Sequence, residues 1–230
     1  MIRLSTIDIN NFFSDLTCSD LVTCVNPFSY EMLNNDKYIT SIDYFLSDGV
    51  LLTWLHNWFL DTNKIKRQSF DNTSIGKDVL CKCNEMSLSV IFIGGKAKEI
   101  KKFKQYISKS YSNIDGHFFD GFFKKDEAKS IIKEIQQIKP SVIVVGMGSP
   151  KQEDFSITIK ENLAGPAKIF TCGGFITQTS ISENYYPDYI DKLNLRWLYR
   201  IVFAKHVRKK FFLPYLRFLI YFFRKKNEFL

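Results

Sequence analysis

Several familiar chemistries are missing from this chain. Its three histidines, His56, His117 and His206, are scattered, and no Ser/His/Asp or Cys/His arrangement suggests itself. The five cysteines (Cys18, Cys24, Cys81, Cys83, Cys172) contain no C-x-x-C pair. Cys81 and Cys83 have no matching His/Cys pair at ligand spacing, which argues against zinc. Reduced, mostly buried thiols are expected instead, with no metal and no cofactor. The longest apolar stretch near the end, Phe211 to Phe223, is broken by Pro214 and Arg217 and falls short of the ~20 residues a bilayer span needs. Met1 to Asn10 lacks the basic start and apolar core of a signal peptide. Neither export nor a membrane span is expected. There is no internal repeat and no low-complexity segment.

The 230 residues, 45% hydrophobic and 24% charged, suffice for a folded domain with a real core. Aromatic content is high at 16%, with 22 Phe, and charge is unevenly placed. From Arg196 onward there are ten Lys or Arg against one acid, Glu228, so the whole +8 surplus lies in the tail. There the basic residues interleave with Phe211, Phe212, Tyr215, Leu216, Phe218, Leu219, Tyr221, Phe222 and Phe223. Such mixing suits an anionic lipid surface. It also occurs in nucleic-acid binders, but no nucleic-acid fold accompanies it, and no nucleic-acid partner is expected. The change of character near Ile181–Asp191 divides the chain into a core, 1–190, and a basic aromatic appendage, 191–230. Removing Phe211–Leu230 is expected to leave a folded, more soluble core.

From Leu21 onward, strands and helices alternate. Strands are predicted at Leu21–Asn26, Leu88–Ile93, Ile114–Phe119, Ser141–Val145 and Lys168–Cys172. Helices are predicted at Phe28–Lys37, Val50–Leu60, Ser74–Asn84, Lys96–Ser110, Lys125–Ile138 and Gln152–Leu163, with Tyr44–Leu46 leading to Asp48-Gly49. This pattern implies βαβ units, an α/β fold and a mainly parallel sheet. Ligands in such sheets bind beyond the carboxyl ends of the strands. Asn26, Gly94-Gly95, Gly121, Gly146 to Gln152 and Gly173-Gly174 all follow strands, so five stretches converge on one rim.

The most informative stretch is Val144-Val145-Gly146-Met147-Gly148-Ser149-Pro150-Lys151-Gln152-Glu153-Asp154-Phe155. Strand, glycine turn and helix make a unit that faces an anion through helix N–H groups. It resembles the G-x-G-x-P-K-Q-E signature of the WecG/TagA/CpsF family of bacterial glycosyltransferases. The resemblance continues, in the family's order, through Thr23-Cys24-Val25-Asn26-Pro27, Ser47-Asp48-Gly49-Val50, Phe92-Ile93-Gly94-Gly95, Gly121-Phe122-Phe123 and Arg196-Trp197-Leu198-Tyr199-Arg200. It implies a Rossmann-like sheet with flanking helices and a C-terminal helical membrane-binding appendage. It implies transfer of a sugar (N-acetylmannosamine-, uronic acid- or hexose-type) from a UDP-sugar donor to a polyprenyl-diphosphate-linked saccharide acceptor. The setting would be the inner face of the cytoplasmic membrane.

The family's base corresponds to Asp48, placed to take the acceptor's hydroxyl proton; otherwise Asp48-Gly49 is a turn. Thr23 and Asn26 match residues that reach sugar hydroxyls, although Asn26-Pro27 is equally a helix start. Arg67 matches a loop arginine, or belongs to a solvated charge run. Gln152 and Glu153 stand where they contact sugar or diphosphate, or merely cap a helix. Gly94, Gly95, Gly121, Gly146, Gly148, Pro150, Gly173 and Gly174 line the rim, and Phe122 stacks on the nucleobase or lies in the core. No Asp-x-Asp occurs, so the leaving diphosphate is left to helix N-termini and arginines. Arg200 matches one of the family's appendage arginines, and Arg208 is the nearest counterpart of a second. Where many members carry an aspartate after the later glycine pair, this chain has Thr177-Gln178. A non-catalytic nucleotide-sugar-binding or scaffold protein at the membrane surface is the rival; Asp48 lying far from the cleft would favour it.

Overall fold

Every strand that the alternation predicts joins one sheet, and every pairing in it is parallel. The structure is a computed structural model that describes residues 2–59, 64–182 and 215–224. Its strands are β1 (Leu4–Ser5), β2 (Asp20–Val25), β3 (Tyr44–Ser47), β4 (Ser89–Gly94), β5 (Asp115–Phe119), β6 (Val142–Gly146) and β7 (Lys168–Thr171). They lie in the order β1-β3-β2-β7-β6-β4-β5. This is a Rossmann-like α/β architecture. The helices are α1 (Ile9–Phe12), α2 (Tyr30–Leu33), α3 (Asp36–Ser41), α4 (Val50–Phe59), α5 (Ile75–Glu85), α6 (Ala97–Ser110), α7 (Lys125–Ile138), α8 (Lys151–Glu161) and α9 (Phe175–Ile181). A further helix covers 215–224.

The central strands read as unbroken apolar runs because both faces of the sheet are covered. Alternate residues still separate cleanly. Leu21, Val25, Ile91, Ile93, Ile143, Val145 and Ile169 enter one core, with Phe155, Ile157 and Ile159 of α8. Val22, Val90, Phe92, Val142, Val144 and Phe170 enter the other, with Val79 and Leu80 of α5 and Ile100, Phe103 and Ile107 of α6. Ile100, Phe103 and Ile107, spaced three and four apart, form the buried face of α6. Glu99 and Glu127 close the first turns of α6 and α7 by accepting from the backbone N–H groups of Lys96 and Lys124 at 2.8 and 2.7 Å.

After β4 the chain crosses to β5 on one side, and after β6 it crosses to β7 on the other. The connections diverge above the carboxyl ends of β4 and β6, which opens a crevice there.

Four features depart from expectation. The helix predicted at Phe28–Lys37 is two short ones. Asn34 ends the first, its Oδ1 accepting from the Ile2 backbone N–H at 2.8 Å, and the second starts after Asn35. β1, α1 and α9 are additional elements. Phe218 and Phe222, read as surface anchors, are buried in the first core against Tyr30. Of the thiols, Cys83 and Cys172 are buried, Cys24 and Cys81 half-buried and Cys18 exposed; all five are free. The boundary placed between residues 190 and 191 lies outside the described residues. No helix among the described residues is long and apolar enough to cross a membrane.

Candidate active site at the carboxyl edge

The rim is assembled by backbone approaches that only glycine permits. Gly94 and Gly146 are register partners at the ends of β4 and β6, and a Cβ on Gly94 would lie 2.4 Å from the Gly146 carbonyl oxygen. Gly121, after β5, donates its N–H to the Gly95 carbonyl at 2.8 Å. Gly148 and Gly173 have open space around them but φ of +76° and +54°, so they answer a conformational demand rather than a steric one. Gly174 directly precedes α9. Pro150, joined to Ser149 by a cis peptide bond, directly precedes α8.

At the start of α8, three successive side chains point in three directions, as about 100° per residue requires. Gln152 turns inward, 3% exposed, and its Oε1 accepts the backbone N–H of Gly148 at 3.2 Å and of Gly173 at 3.0 Å. One carboxamide therefore ties the loop after β6 to the loop after β7. Glu153 turns toward the strands and is fully buried. Its Oε1 accepts from Thr23 at 3.0 Å, Ser149 at 2.9 Å and the Gln152 amide at 2.8 Å. Its Oε2 is buried with no hydrogen-bond partner. Burial raises the Glu153 pKa, against the opposing pull of its hydrogen bonds. Asp154 turns outward, accepting from Tyr38 of α3 at 2.9 Å and pairing with Lys37.

Thr23, on β2, is also fully buried and shares a hydrogen bond of 2.7 Å with Thr171 of the neighbouring β7. Thr23, Gln152 and Glu153 thus lie beneath the rim and shape it. Asn26 stands at the top of β2. Its Oδ1 accepts from the N–H groups of Phe28 and Ser29 at 2.9 and 3.2 Å, as the helix-start reading expected.

Asp48 follows β3, next to Asn26, with its backbone N–H bonded to the Val25 carbonyl at 2.7 Å. Its side chain is 28% exposed and faces Arg67 at 3.4 Å. Arg67 is not part of a solvated run. The same guanidinium nitrogen donates to Ser69 at 2.7 Å and Asp71 at 3.3 Å, and the Gln68 N–H is bonded to the Ser47 carbonyl at 2.9 Å. This fixes the 67–71 segment beside the end of β3 and holds Arg67 against the carboxylate. Ser69 and Asp71, which sequence reasoning did not single out, complete that network; only their place in the loop after Arg67 could have marked them.

Phe122 is 73% exposed beside Gly121, which removes the core reading. Thr177 donates to Glu99 at 3.0 Å, joining α9 to α6. Arg200 and Arg208 lie outside the described residues. A cavity of about 420 Å³ lined by Lys101, Lys104, His117 and Glu134 lies along β5, away from the Asp48 and Gln152 sites.

The ends of β3, β2, β7 and β6 are successive neighbours. At ~4.8 Å per strand, Asp48 stands about 14 Å from the Gly146 turn. An acidic group therefore lies at one side of the rim. The glycine turn after β6 and the start of α8 lie at the other. Asp48 and the Gly146 turn share the carboxyl edge of the sheet.

Residues 7–229 match the glycosyl transferase WecG/TagA/CpsF family. The chain is 38% identical over 218 residues, 94% of its length and 91% of the relative's, to a UDP-Gal:alpha-D-GlcNAc-diphosphoundecaprenol beta-1,4-galactosyltransferase of Shigella boydii. It is 31% identical over 111 residues to an N-acetylglucosaminyldiphosphoundecaprenol N-acetyl-beta-D-mannosaminyltransferase of Staphylococcus aureus (strain NCTC 8325 / PS 47), covering 48% of this chain and 43% of that enzyme. The chain belongs to the WecG/TagA/CpsF family and is a glycosyltransferase.

Proposed function

We propose that this member of the WecG/TagA/CpsF family transfers a hexose, galactose first among the candidates, from a UDP-sugar to a polyprenyl-diphosphate-linked saccharide. The near full-length likeness to a UDP-galactose-dependent enzyme supports that donor over N-acetylmannosamine, since the mannosaminyltransferase aligns over only 48% of the chain. The work would be done at the cytoplasmic face of the membrane, in surface polysaccharide or wall polymer assembly.

The observation that carries the reading is the pairing of Asp48 with Arg67 at the end of β3, across the rim from the glycine turns and helix start at Gly146–Gln152. The uridine ring stacks on Phe122, and the diphosphate lies over Gly94, Gly95 and the start of α8, where backbone N–H groups face an anion. The sugar extends toward β2 and β3, within reach of Asn26. Asp48 takes the proton from the acceptor hydroxyl as its oxygen bonds to the anomeric carbon. The bond from that carbon to the diphosphate breaks, and UDP leaves with the bonding pair. A single displacement inverts the anomeric centre. Arg67 keeps Asp48 aimed, and Arg200 and Arg208 add positive charge to the departing diphosphate. Thr23, Gln152, Glu153 and Gly173 hold the rim in shape beneath.

The test is a panel of UDP-sugars offered with an N-acetylglucosaminyl-diphospho-lipid acceptor. UDP release that requires the acceptor and a product heavier by one hexose, β-linked, are expected with UDP-galactose. No acceptor-dependent release with any UDP-sugar would end the reading.

A further inference from the structure

The helix that begins immediately after Asp48-Gly49 is unusual for a water-facing element. α4, Val50 to Phe59, contains no Asp, Glu, Lys or Arg. Leu52, Thr53, Leu55 and His56 are buried beneath it. Its outer face presents Trp54 at 67% exposure and Trp58 at 80%, one turn apart. Large aromatic side chains exposed to this degree, and contiguous, mark an interaction surface rather than a solvated one.

The patch does not stop at α4. The Trp58 and Phe59 rings stack at 5.8 Å, and Phe59 meets Phe223 edge-on at 5.3 Å. Phe223 belongs to the 215–224 helix, which buries Phe218 and Phe222 and turns Leu216, Ile220 and Phe223 outward. These outward positions are spaced four and three residues apart, one stripe of a helix. The two helices therefore offer one apolar face. Neither carries an acid, and Arg217 and Arg224 of the second helix are exposed, Arg217 pairing with Glu31 at 3.3 Å.

An apolar, Trp-bearing face whose two helices carry Arg217 and Arg224 and no acid fits an anionic phospholipid surface. Tryptophan settles at the level of the headgroups, and lysine and arginine meet the lipid phosphates. Binding through the basic tail alone would leave α4 unexplained. We infer that Trp54 and Trp58 form, with Leu216, Ile220 and Phe223, a composite bilayer-docking face that holds Asp48 at the height of the lipid headgroups. This deepens the proposed function, on which the lipid-linked acceptor rests. Asp48-Gly49 directly precedes α4, and Trp54 lies four residues beyond Val50, about 6 Å along the helix, so the docking face begins close to the general base. An acceptor diphosphate at the bilayer surface would be delivered to the β3 side of the rim, while the donor enters from the Phe122 side.

The experiment uses the full chain with Trp54 and Trp58 both replaced by Gln, and vesicles of phosphatidylcholine with one-third phosphatidylglycerol. Cosedimentation of the double variant should fall by about tenfold or more, at an unchanged melting temperature. The wild-type tryptophan emission should shift to the blue on adding vesicles and be quenched by brominated lipid; that part of the signal should vanish in the variant. Trp54→Phe together with Trp58→Phe should retain most of the binding. Undiminished pelleting of the Gln variant, or wild-type emission unmoved while the protein pellets, would overturn the inference. Concentration-dependent dimers that shield these tryptophans without lipid would overturn it too, in favour of a second copy of the chain. None of these readouts needs a sugar donor, so they fail or succeed independently of the proposed transfer.

Discussion

Asp48 is 28% exposed, held by one backbone hydrogen bond and faced by one guanidinium. Replacing it with Asn keeps its shape and removes its basicity. Asp48→Asn should retain donor binding in a thermal-shift assay while turnover falls by about 10²–10⁴-fold, the scale for losing a general base. Near-normal turnover would remove it from the mechanism. Glu153 makes a different, pH-dependent prediction. Its ordinary value is 4.5 and burial raises it, so the folded state keeps the proton to higher pH than the unfolded chain. Its contribution to stability is undiminished below 4.5 and is lost as pH climbs through the raised value. Glu153→Gln cannot ionise and escapes that loss. The melting temperature of the variant relative to wild type should therefore rise as pH increases from 4.5; a difference that stays flat with pH would contradict this. The motif Pro150-Lys151-Gln152-Glu153 was legible as a helix start on the rim. Which way each side chain points was not, because direction depends on how α8 rotates against β2 and β7, and no local pattern encodes that.

At the level of elements, α6 and the strands were readable because their periodicity and their burial coincide. Phe218 and Phe222 of the 215–224 helix were misread for the opposite reason. The aromatics cover more than half of the helix surface, so composition could not separate Phe218, fully buried, from Phe223, 44% exposed. Alanine substitution separates them. Phe218→Ala should cost about 3–5 kcal/mol, the range for emptying a buried Phe site. Leu216→Ala, on the outer face, should change stability by only about 0.5 kcal/mol. Urea midpoints measured side by side check the pair, and equal effects would mean that this helix does not pack on the core. β1, α1 and α9, at two, four and seven residues, are too short for any period to show.

For the whole molecule, the 215–224 helix behaves as part of the fold rather than as a detachable tail. Cutting the chain before residue 215 uncovers Tyr30 and removes two residues of the first core. The truncated protein should therefore be less soluble and melt earlier than the full chain, the reverse of what composition suggests. Soluble yield and a thermal melt measure it, and a stable, soluble product would show the helix to be dispensable. The parallel sheet and the rim were visible in the sequence because each strand end carries its own glycine or polar mark. The two-helix apolar face was not, since it joins residues 54–59 to 216–223 across the fold. Gln152, Glu153 and Asp154 have a last consequence at this scale. Anchored to two loops, one strand and one helix, they act as a kinematic mount, with three independent constraints on one rigid body. The helix start is positioned before any ligand arrives, so the entropy of ordering it is spent in folding and is not subtracted again from donor affinity.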